Sequence, residues 1–87
     1  MKPILMMVMA GCPHCRHARE LMEQLFKEHP IYADVPLRIV DETQEPDFAE
    51  TLDYYYVPTF FVGDQKMHEG VPTREAIEAV FLAALKD

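Results

Sequence analysis

Residues 1–87 predict a single α/β domain of order β-α-β-α-β-β-α, with four short strands in one mixed sheet and helices flanking it. Three observations carry this. The run Ile4-Leu5-Met6-Met7-Val8-Met9 is almost wholly apolar and is bounded by Pro3 and Gly11, as a central strand buried on both faces should be. An amphipathic stretch and a second strand-like run, Leu37-Arg38-Ile39-Val40-Asp41, follow it. That spacing implies a right-handed parallel crossover with the first two strands side by side. Finally, two strand-like runs flank the turn pair Gly63-Asp64, which marks a hairpin.

Taken in order, the first helix has Ala18, Leu21, Met22, Leu25 and Phe26 at helical spacing, with Arg16, Arg19, Glu20, Glu23 and Lys27 on the other side. Pro13 suits its first position, because proline's missing N–H has no intrahelical partner there and its φ is already helical. Cys12 therefore falls at the N-cap. His29-Pro30 ends the pattern, since a residue before proline is pushed out of the helical region, and residues 30–36 read as a connector. Glu42 to Pro46 is turn-like, and Asp47 to Leu52 predicts a short helix with Phe48 and Leu52 facing inward. Tyr54-Tyr55-Tyr56 leads to Val57-Pro58 and the third strand, Thr59-Phe60-Phe61-Val62, and Lys66-Met67-His68-Glu69 is the fourth. Gly70 breaks the pattern. Thr73 caps the last helix, whose inward stripe is Ile77, Val80, Phe81, Ala84 and Leu85.

The chemistry centres on Ala10-Gly11-Cys12-Pro13-His14-Cys15, which holds the only two cysteines in the chain. At a helix start, unpaired N–H groups and the positive end of the helix dipole favour a thiolate, so Cys12 is the expected nucleophile. Cys15 lies one turn further in, on the more buried side and within disulfide reach, and is the expected resolving thiol. His14, beside the Cys12 sulfur at the helix start, would steady its charge. A pair three residues apart cannot staple distant segments, which leaves redox catalysis or metal binding as its purpose. His14 and His17 could nominally complete a four-ligand set. However, four ligands within six residues on one helical turn cannot all face one tetrahedral centre.

Cys12-Pro13-His14-Cys15, with Ala18, Arg19 and Leu21 behind it and Val57-Pro58-Thr59-Phe60-Phe61-Val62 downstream, resembles the thioredoxin superfamily, and its glutaredoxin branch in particular. The resemblance spans essentially the whole chain and implies strand order 2-1-3-4 with a cis Val57-Pro58 bond. It also implies a redox-active Cys12–Cys15 disulfide, a Val57 backbone that pairs with bound peptide or glutathione, and a Pro58 that covers the sulfurs. Tyr56 would line the substrate groove. Glutathione would serve as co-substrate or recycling reductant, with no bound cofactor or metal. The tetrapeptide is also similar to that of bacterial periplasmic thiol oxidases, whose large helical insertion is absent here. Two places depart from the pattern. The positions of the thioredoxin tryptophan and buried acid hold Gly11 and Met6. Thr73 stands about where a glutaredoxin acid would receive the amino end of glutathione.

The net charge of −7 is uneven: residues 1–30 carry four Lys/Arg against three Asp/Glu, and residues 31–87 carry four against twelve. Nucleic-acid binding is disfavoured, because phosphate contacts need clustered Lys and Arg. No stretch approaches the ~18 apolar residues of a membrane span. Met1-Lys2 and the apolar run up to Cys12 mimic a lipoprotein signal only faintly, since its core is about seven residues and its removal would delete the central strand. The expectation is a cytoplasmic monomer that reduces or exchanges disulfides of a protein or a glutathione adduct and is recycled by glutathione or a reductase. A glutathione-independent oxidoreductase with its own reductase, a metal carrier using Cys12, Cys15 and a histidine, and a redox-inactive module are the alternatives.

Overall fold

The central strand β1 (Ile4–Val8) sits between a parallel neighbour, β2 (Leu37–Asp41), and an antiparallel one, β3 (Thr59–Val62), in a computed structural model that describes residues 1–86. β4 (Gln65–Glu69) pairs antiparallel with β3, so the sheet order is β2-β1-β3-β4, as expected. The register runs Ile4↔Leu37 to Val8↔Asp41 on one side of β1 and Ile4↔Val62 to Met7↔Thr59 on the other. The β3–β4 ladder is irregular between Phe60 and Phe61. Helices α1 (Pro13–Glu28), α2 (Pro46–Glu50) and α3 (Arg74–Leu85) complete the predicted order.

Period-two alternation along β1 divides the core. Ile4, Met6 and Val8 face α1 and α3, where they meet Ala18, Met22, Leu25, Ile77, Val80 and Phe81. Met7 faces the other way with Val40 and Phe61, under the thinner cover of Phe48, Ala49, Leu52 and Tyr54. The stronger face is therefore the one that carries α1, the helix that presents the cysteines.

The structure corrects four details of the reading. β1 stops at Val8, and Met9 is exposed, because the chain leaves the sheet to turn at Gly11, whose φ of +80° favours glycine. β4 starts one residue earlier, at Gln65. The short helix is Pro46–Glu50, with Leu52 beyond its end yet still packed inward. The connector contains a 3₁₀ turn, Pro30–Asp34, that buries Tyr32 against Phe81 with ring centroids 5.7 Å apart. Tyr32 is secured at its polar end, where its hydroxyl donates to Glu78 Oε2 at 2.6 Å.

Candidate active site

Two segments meet at the carboxyl end of β1. The first is the turn into α1. Cys12 is the N-cap in extended conformation, and its sulfur accepts a hydrogen bond from the Cys15 backbone N–H at 3.3 Å, one of the donors a helix start leaves unpaired. Its own N–H donates to the Met9 carbonyl at 3.2 Å, and its carbonyl accepts from Arg16 N at 3.2 Å. Pro13 occupies the first helical position, as its ring geometry predicts.

Both cysteines are reduced, but their surroundings differ. Cys12 is half-buried and lines a surface groove, whereas Cys15 is only 4% exposed. Burial, reinforced by the hydrogen bond with Cys12, pushes the Cys15 thiol up to about 12, against a small opposing pull from the Met9 backbone and the Arg19 charge. Burial thus disfavours a negative charge on the inner sulfur, while the outer one meets a backbone donor at the helix start.

The second segment is the approach to β3. The Val57-Pro58 peptide is cis, as the resemblance implied, and Pro58 is fully buried. The Val57 carbonyl lies 3.9 Å from Cys12 Sγ and accepts from its thiol, which joins two residues 45 positions apart. The Met7↔Thr59 pairing in the sheet is what brings them together.

The loop before Val57 is held by a carboxylate that sequence reading had missed. Glu69 Oε2 accepts from the backbone N–H groups of both Tyr55 and Tyr56, at 2.9 Å for the latter. Lys66 Nζ donates to Glu69 Oε1 at 2.8 Å and to the Asp53 carbonyl at 3.2 Å. Lys66 first, then the two backbone donors, hold the Glu69 carboxyl down at about 2. On the other flank Gly70 N donates to the Pro58 carbonyl at 2.9 Å, and the Thr59 hydroxyl donates to the Tyr56 carbonyl.

The remaining candidates are more scattered. Tyr56 is 71% exposed beside this loop, and Tyr55 more so. His14 is exposed, and its ring forms no hydrogen bond or ion pair among the described residues. Thr73 caps α3, its hydroxyl accepting from Ala76 N at 3.1 Å. Among the described residues no three His, Cys, Asp or Glu side chains converge as a metal site. Beside the cysteines, between α1 and the ends of β1 and β2, lies a groove of about 600 Å³ with Arg16 and Arg19 on one wall and Asp41 and Glu45 on the other.

Residues 4–82 match the family model of the thioredoxin domain. The chain belongs to the thioredoxin family. This thioredoxin-domain protein is 30% identical over 70 residues to a thioredoxin of Methanocaldococcus jannaschii, a match covering 79% of this chain and 80% of the relative. A solved malarial protein shares its fold with a TM-score of 0.68 at 16% identity, over 94% of both chains. Thioredoxin O2 of Arabidopsis thaliana, solved in its oxidised state, aligns with a TM-score of 0.60 at 21% identity, over 99% of this chain and 76% of the other. Membership of the family implies redox activity in general. No helix among the described residues is long and apolar enough to cross a membrane.

Proposed function

We propose that the protein is a thiol–disulfide oxidoreductase acting on disulfides of proteins or peptides. The observation that carries this reading is the asymmetry of the pair, an accessible Cys12 sulfur at a helix start facing the Val57 carbonyl and a buried Cys15 one turn behind. In the reaction the Cys12 thiolate attacks one sulfur of the substrate disulfide, and the other leaves as a thiolate that takes a proton from solvent. Cys12 is then neutral in a mixed disulfide, so that of the causes raising the Cys15 thiol burial remains while the hydrogen bond and charge of Cys12 are gone. Cys15 can now lose its proton and attack Cys12 Sγ, releasing the second substrate thiol. Two electrons pass to the substrate and the Cys12–Cys15 disulfide remains, to be recycled by an external thiol. Val57 offers its backbone edge to the substrate strand, and Tyr56 flanks it.

Thr73 bears on the choice of co-substrate. Its hydroxyl is committed to capping α3, and it carries no charge with which to receive the amino end of glutathione. A peptide disulfide therefore stands first, with glutathione coupling as the alternative, in a monomeric and cytoplasmic protein.

The test is equilibration across reduced-to-oxidised glutathione ratios with thiol state read by alkylation and mass spectrometry, alongside trapping with the Cys15→Ser variant. A peptide mixed disulfide trapped on Cys12, without a glutathione adduct, supports the reading. A glutathione adduct with a midpoint of about −200 to −230 mV, the range of glutaredoxins, transfers the function to glutathione coupling. A pair that neither oxidises nor forms any adduct overturns both.

A further inference from the structure

We propose that the groove beside the dithiol is a docking site for an acidic side chain of the substrate, so that the enzyme selects disulfides whose cysteine is flanked by Asp or Glu. This deepens the thiol–disulfide reading and rests on it. The chain has four arginines. Arg38 is paired with Glu45 at 3.2 Å, and Arg74 grips both oxygens of Glu28 at 2.9 and 2.6 Å. Arg16 and Arg19, three apart on the exposed side of α1, line the groove with Cys12 and Cys15, and neither forms an ion pair with a described residue. Glu20 and Glu23, four residues on along the helix, do not reach them.

The acids across the groove are already engaged. Asp41 Oδ1 accepts from the backbone N–H and hydroxyl of Thr43 at 2.8 and 2.6 Å, and Glu45 is held by Arg38. With Glu45 paired to Arg38, two unpaired arginines face the single carboxylate of Asp41, so the groove carries net positive charge on a protein whose net charge is −7. An acidic peptide is repelled by most of this surface and received here, where a guanidinium fork can bind a carboxylate through two parallel hydrogen bonds. A groove of about 600 Å³ beside Cys12 has room for one such side chain while the substrate sulfur lies against the nucleophile.

The experiment uses the full chain and three amidated peptides that differ only in carrying Asp, Ser or Lys beside a disulfide-bonded cysteine. The expected kcat/KM for the Asp peptide exceeds that for the Lys peptide about tenfold at low ionic strength, and the gap closes to about twofold in 1 M salt as the charges are screened. In the Arg16→Glu/Arg19→Glu variant, folded by circular dichroism, the order reverses. Equal rates on the three peptides overturn the inference but leave the oxidoreductase reading standing. So does an Asp preference that survives the charge reversal. Failure to reduce any of the three removes the oxidoreductase reading, and this inference with it.

Discussion

Cys12 and Cys15 have the same side chain, and depth together with place on the helix separates their chemistry. With Cys15 buried and its thiol pushed up to about 12, iodoacetamide should label one cysteine of the reduced protein at neutral pH, and peptide mapping should find that label on Cys12. Labelling of Cys15 first would reverse the assigned roles. Glu69 makes a second prediction at this scale. Its carboxyl is held well below the usual 4.5, so the stability it contributes is complete above that value and is lost as the pH falls through about 2. Acidification over that interval should lower the protection of the Tyr55 and Tyr56 amides, measured as hydrogen exchange relative to the intrinsic rate at each pH, and Glu69→Gln should make both exchange faster at neutral pH. Cys12 at the cap could be read from Pro13 and the helical stripe behind it. Glu69 could not be, because the two groups it holds in the loop lie 13 and 14 residues away and are backbone amides, which leave no mark in a sequence.

Among the elements, α3 depends on its first contact, the Thr73 hydroxyl accepting from Ala76 N. Thr73→Ala should cost about 1 kcal/mol. In a domain of this size that lowers Tm by about 4–8 °C, which calorimetry can read, while leaving disulfide reduction at the wild-type rate if Thr73 serves only as a cap. Elements with many turns or clean alternation were legible because each repeats its pattern. The 3₁₀ turn Pro30–Asp34 is a single turn with no period to detect, and its buried Tyr32 reads in sequence like any connector aromatic. The β2 strand was legible from its apolar positions even though it lies at the sheet edge with only Val40 fully buried.

Across the whole molecule, the two faces of the sheet are unequal. The α1/α3 side gathers most of the buried side chains around Phe81, whose ring meets Phe26 edge-on at 5.4 Å and stacks on Tyr32. Phe81→Ala should cost about 3–5 kcal/mol, a large part of the ~5–15 kcal/mol that holds such a domain together, and urea unfolding measures it. A shift under 1 kcal/mol would mean that this face is not the principal core. The pairing of β1 with β3 also has a consequence during synthesis. It joins Cys12 to a carbonyl that lies 45 residues later in the chain. At roughly 5–20 residues per second, the dithiol is made about 2–9 s before Val57. Over that interval the nascent chain carries two thiols with neither the β3 strand nor the proline loop against them, so any oxidant present meets the pair before the fold can govern which sulfur reacts.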